Sequence, residues 1–149
     1  MSSKLNKIKA LSLIFSVLLL DQLTKYIASE YLAPEKVIRI FPFLNLVYVE
    51  NKAAAFGLFK GANPVFFVVL TLIVLCFLIY LYFKDSKNQI IYSLIIAGAL
   101  GNITDRLIYS HVIDFIDLHA GEIHWPAFNI ADISITLGII FFLYKSFKK

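Results

Sequence analysis

Charge is scarce in this sequence: Asp, Glu, Lys and Arg make up 16% of the 149 residues, where a soluble domain carries about a quarter. Too little polar sequence is left to coat a water-facing surface, which excludes a soluble globular core. Cysteine is nearly absent. The single Cys76 rules out an intramolecular disulfide, leaves no cysteine near the N-terminus for a lipid anchor, and reads as a small packing residue inside an apolar run. No G-x-S-x-G marks a serine nucleophile, and no H-E-x-x-H marks a zinc helix. The net charge of +4 comes from lysines sorted by loop, a pattern that reports membrane orientation and not nucleic-acid binding.

What is present is apolar. Hydrophobic residues make up 60% and the mean hydropathy is +0.79. Residues 8–29, 64–83, 90–109 and 128–147 are each close to the roughly 20 residues a helix needs to cross hydrocarbon. The first run follows Lys4, Lys7 and Lys9 as a signal peptide would, but continues past Asp21 as QLTKYIASEY without a small-x-small cleavage site, so it reads as a permanent helix. Residues 1–149 are therefore expected to form one all-α membrane domain of four transmembrane helices, with a small outer β-sheet and a short interfacial helix.

Lys4, Lys7 and Lys9, Lys84 and Lys87, and Lys145, Lys148 and Lys149 collect on one side of the membrane, which places both termini in the cytoplasm. The opposite side holds a β-rich segment over residues 30–63. There VIRIFPFLNLVYVEN, broken at Pro42, reads as two short strands. AAAFGLFKG reads as a short amphipathic turn dipping Phe56 and Phe59 into the interface. Residues 110–126 read as an outer loop, Tyr109 and Trp125 as headgroup-level aromatics, and Pro126 as part of the first turn of the last helix.

Several polar residues fall inside these spans, where an ionised side chain costs about 2.5–3.5 kcal/mol on insertion scales and needs a reason. Asp21 and Lys25 share a helical face; Asn102, Asp105 and Arg106 form a second group; Asn129 and Asp132 a third. Neutralisation of Asp21 by Lys25, and of Asp105 by Arg106, would make those pairs helix staples. Asp132, placed roughly 10 Å below the outer start of its helix, has no cation on that helix. Asp114, in HVIDFIDLH, is flanked by apolar residues that would hold it against the bilayer. Brought together in a dry site, two such carboxylates cannot both ionise, and the pair becomes a general acid and base able to hydrolyse an amide. A zinc site from His111, Asp114, Asp117, His119 and His124 is the competing chemistry, though the spacing fits no compact signature. Two further readings are a small ion or proton transporter and a non-catalytic assembly subunit whose polar residues only pack helices.

The assembled motifs DQLTK, NKAAAFG, GALGNITDR, VIDF and WPAFNIADISI, in order along nearly the whole chain, resemble the bacterial lipoprotein signal peptidases, or signal peptidase II. The resemblance implies an aspartic endopeptidase of the cytoplasmic membrane that uses neither metal nor cofactor. Asp114 and Asp132 would be its catalytic pair. Its substrates would be prolipoproteins with a diacylglyceryl-modified cysteine, cleaved just before that cysteine. Asn51, Asn102, Arg106 and Asn129 would line the pocket, and Asp21, Lys25 and Asp105 would hold the site in place. Ala53 stands where the family's second motif usually has glycine. Membrane lipids are the expected surroundings and a monomer the expected state, since no span carries a G-x-x-x-G pair.

Overall fold

The computed structural model describes residues 2–33, 36–52 and 64–148. The expected interfacial turn around Phe56 and Phe59, and Ala53, lie outside the described residues. Four long helices, α1 (Ser2–Leu32), α2 (Pro64–Lys84), α3 (Gln89–Tyr109) and α4 (Ile130–Phe147), alternate with four strands: β1 (Ile38–Phe41) and β2 (Leu44–Asn51) after α1, and β3 (Val112–Ala120) and β4 (Ile123–His124) after α3. All four helices are long and apolar enough to cross a membrane. α2 is the most apolar, with a mean hydropathy of 2.9, and α3 the least, at 1.2.

That ranking follows from position. α3 packs against the other three helices, and 56% of its spanning window is buried, against 17% to 22% for the others. A helix shielded from lipid can carry polar residues, whereas the outer helices present Phe15, Leu19, Ile73, Phe77 and Ile140 outward to a solvent as apolar as they are. Close approach to α3 depends on its small residues. A Cβ on Gly98 would collide with the Ala131 carbonyl of α4, and one on Gly101 with the Asp21 carboxylate of α1.

The sheet has order β1-β2-β3-β4 and is antiparallel throughout. β1 and β2 form the hairpin expected around Pro42. β3 and β4 correct the expectation of a loop over residues 110–126. In V-I-D-F-I-D-L-H the carboxylates and imidazole resemble turn residues, yet Ile113 and Phe115 join Ala28 and Leu32 in a buried cluster and so anchor a strand. Between Leu46 and Val49, β2 uses three steps where β3 uses two, a bulge of the kind that re-aims side chains near sites.

Two further expectations are corrected. Pro126 does not enter the last helix, which starts four residues later at Ile130; Phe128 instead pairs with Ile116 of β3. Asp132 therefore sits in the first turn of α4, only about 3 Å along the axis from its first residue, and not 10 Å deep. Cys76 is exposed on the outer face of α2 and takes no part in packing.

Candidate active site

The most completely buried large side chains are polar: Lys25 at 2% exposure, Asn129 and Asp21 at 0%, and Asp105 and Asp114 at 1%. In a molecule with this composition that inverts the usual inside, and each such group demands a partner.

Lys25 of α1 has three. Its Nζ lies 2.8 Å from Asp21 Oδ2 and 2.9 Å from Asp105 Oδ2 and donates to Asn102 Oδ1 at 3.0 Å, which uses all three N–H groups of the ammonium. Asp105 thus pairs with Lys25 and not with Arg106. Adjacent helical residues diverge by about 100° and do not face each other, so the expected Asp105–Arg106 neutralisation does not form.

Each carboxylate of this triad then positions another element. Asp21 Oδ1 accepts the Ala131 backbone N–H at 2.8 Å, placing a negative charge at the N-terminus of α4, where orphan amides and the helix dipole favour it. Asp105 Oδ2 accepts the Ile113 N–H at 3.2 Å, fixing β3 one residue before Asp114. Gln22, which no sequence reading singled out, donates to Asp105 Oδ1 at 2.9 Å and to the Gly101 carbonyl at 3.3 Å. Its place inside DQLTK was the available signal.

Asn102 carries the network onward, donating from Nδ2 to Asp132 Oδ1 at 2.8 Å. Asn129 is the N-cap of α4. Its side-chain oxygen accepts the Asp132 N–H at 2.9 Å while Asp132 Oδ2 accepts the Asn129 N–H at 3.3 Å, a reciprocal capping box. The N-x-x-D spacing carried that signal in the sequence. The same Asn129 amide donates to Asp114 Oδ1 at 2.7 Å. Asn51, diagonal to Asp114 across the β2–β3 ladder, donates to Oδ2 at 2.8 Å. Asp114 and Asp132 are therefore held side by side through one asparagine.

Neither carboxylate has a cation within ion-pair distance among the described residues. Arg106 packs its guanidinium over the Phe67 ring at 5.7 Å. Burial first, and the negative charge of Asp132 with it, push the Asp114 carboxyl up to about 7 against the opposing amide hydrogen bonds of Asn51 and Asn129. Asp114 is buried and Asp132 only partly so, so the first is the more shielded of the two.

The histidines stand apart. His124 Nδ1 lies 2.8 Å from Asp117 Oδ1, and Asn45 donates to Asp117 Oδ2 at 2.9 Å. These bonds hold Asp117 below the usual carboxylate range in spite of its burial. His119 stacks on His124 with ring centroids 4.9 Å apart. Among the described residues no group of three His, Cys, Asp or Glu side chains is arranged to hold a metal ion. The zinc reading finds no geometry to rest on.

A bundle of membrane-length helices with buried, amide-clamped carboxylates at one end is the architecture of a multi-pass membrane enzyme. Residues 13–148 match the family described as Signal peptidase (SPase) II, and the chain belongs to that family of proteases. The chain is 60% identical over 136 residues to a lipoprotein signal peptidase of Thermodesulfovibrio yellowstonii, covering 91% of this chain and 92% of the relative. With a lipoprotein signal peptidase of Anaplasma marginale it shares 42% identity over 147 residues, covering 96% and 85%. Two bacterial membrane enzyme structures determined by the in meso method superpose with TM-scores of 0.87 and 0.85, each at 36% identity. They cover 94% and 95% of this chain and 88% and 94% of their own.

Proposed function

We propose that this protease removes signal peptides from diacylglyceryl-modified prolipoproteins, cleaving before the lipidated cysteine, with Asp114 and Asp132 as its acid–base pair. The observation that carries the reading is that both carboxylates hydrogen-bond to Asn129, at one end of the bundle and, among the described residues, without a cation in ion-pair contact. Two acids bridged by one residue share one proton in this reading, and burial favours Asp114 as its holder near neutral pH. Asp132, nearer to solvent, takes a proton from a water molecule as its oxygen attacks the scissile carbonyl, while Asp114 gives its proton to the carbonyl oxygen. Collapse of the tetrahedral diol breaks the C–N bond. The proton on Asp132 goes to the leaving amine, and one diol proton returns to Asp114.

The remaining residues have supporting roles in this reading. Asn51, Asn102 and Asn129 fix the two carboxylates, Arg106 offers its charge to the substrate backbone, and Asp21, Lys25 and Asp105 hold α1, α3, α4 and β3 in register. The lysines at the opposite end of the bundle orient both termini towards the cytoplasm and the pair towards the outer face of the inner membrane. A diacyl anchor keeps the scissile bond at that same level. The chain acts as a monomeric, single-domain enzyme without cofactor or nucleic-acid partner.

A synthetic precursor peptide, with and without its diacylglyceryl group, tests this. The lipidated form is cleaved before cysteine and the unlipidated form far more slowly. Cleavage that survives Asp114→Asn or Asp132→Asn at near-normal rate would remove the pair from the chemistry. An ion pathway receives no support, since the buried charges Asp21, Lys25, Asp105 and Asp114 gather towards one end of the bundle and do not run along its axis.

A further inference from the structure

Ile113, the residue immediately before Asp114, is held by both of its backbone polar groups. Its N–H donates to Asp105 Oδ2 at 3.2 Å, and its carbonyl accepts from Asn129 Nδ2 at 3.3 Å. β3 is thereby tied to α3 by one bond and to α4 by the other. The first tie is only as firm as the Asp105 carboxylate, whose Oδ2 also meets Lys25 Nζ at 2.9 Å. Rotation about a carboxylate's Cβ–Cγ bond is soft, so bonds to one oxygen alone leave its plane free to swing. Gln22 of α1 meets the second oxygen. Its Nε2 donates to Asp105 Oδ1 at 2.9 Å, across 83 positions of sequence.

The Gln22 amide fits only one way round. Nε2 also lies 3.2 Å from Asp21 Oδ2 and 3.3 Å from the Gly101 carbonyl, so its three neighbours are all acceptors and a flipped amide would set an oxygen against them. Asp21 Oδ2 has the Lys25 ammonium at 2.8 Å as well, so loss of the amide bears chiefly on Asp105 Oδ1. We propose that Gln22 is a positioning residue for the carboxylate pair: it fixes Asp105, Asp105 fixes the Ile113 amide, and that amide sets where Asp114 stands. The inference rests on the proteolytic role proposed for Asp114. Reacting groups misplaced by about 1 Å lose on the order of 10²-fold in rate. A side chain that hydrogen-bonds neither member of the pair can therefore register in turnover.

Gln22→Met keeps the length of the side chain and removes its donor. With the full chain in mixed micelles and a lipidated precursor peptide, kcat should fall about tenfold, the scale of one hydrogen bond to a charged group, and KM should stay within about twofold. Amide hydrogen exchange in the same micelles should quicken at Ile113 and stay unchanged at Ala131, whose N–H is held by Asp21. Gln22→Asn keeps the amide but is one methylene short of Asp105, and should show the same pattern. Thr24→Val is the control. Thr24 bonds the Leu20 and Asp21 carbonyls of its own helix, and its loss should move neither reading. An unchanged kcat or unchanged Ile113 exchange in Gln22→Met overturns the proposal, as does equal quickening at Ile113 and Ala131, the sign of general loosening. Absence of cleavage by the unaltered protein would count against the proteolytic reading instead, and Ile113 exchange would still decide the link from Gln22 to β3.

Discussion

Two groups of carboxylates occupy one hydrogen-bonded network and differ in what meets them. Asp21 and Asp105 share the Lys25 ammonium, whereas Asp114 and Asp132 are met by asparagine amides and a backbone N–H. A buried acid beside a fixed cation is ionised and inert, and its worth lies in the geometry it imposes. Asp114 is instead driven by burial towards its protonated form, against the amides that clamp it, and that proton can be moved. The fold places the first group directly behind the second, so that static charge positions mobile charge.

The largest effect expected from breaking this division is in the second group. Asp114→Asn and Asp132→Asn should each lower turnover of a lipidated precursor by on the order of 10⁴-fold, with unfolding resistance in mixed micelles little changed. In the first group the effect should fall on stability. Lys25→Met leaves two buried carboxylates uncompensated and should cost about 3–5 kcal/mol, a loss partly restored by adding Asp21→Asn and Asp105→Asn. Asn129→Ala crosses the boundary, removing an N-cap worth about 0.5–2 kcal/mol and the amide on Asp114. It should lower kcat more than it changes KM.

The smallest effects are on pH dependence. With Asp114 near 7, cleavage should fall as pH rises through 7, when the proton needed on the carbonyl oxygen is lost. A carboxyl whose pKa is higher folded than unfolded contributes stability below its unfolded value of 3.8 and loses that contribution as pH rises through about 7. The Tm should therefore decline across that window. Asp114→Asn should remove this part of the decline, and a Tm curve identical to that of the unaltered protein would contradict the assigned environment.

Much of this was legible in the sequence. Four apolar runs and a Pro-broken β-rich stretch announced the helices and the first hairpin, and charges at helical spacing announced the buried network. Family motifs singled out Asp114 and Asp132, which the fold bonds to one asparagine. What could not be read was contact across elements. Nothing local to Asp105 says that its partner is Lys25, 80 positions earlier, and adjacency made Arg106 the tempting choice. β3 was hidden because its carboxylates resemble loop residues until Ile113 and Phe115 are seen to reach Ala28 and Leu32. The start of α4 was misjudged because Pro126 is a familiar helix opener, although Asn129 and Asp132 close the cap three residues later.

One side chain, that of Asn129, fastens the opening turn of α4 and steadies Asp114. Fraying of that turn and dismantling of the proposed acid–base pair are consequently a single event. As temperature rises, the enzyme should fall silent while most of its helical signal is still intact, its working ceiling set by the first few residues of its last helix.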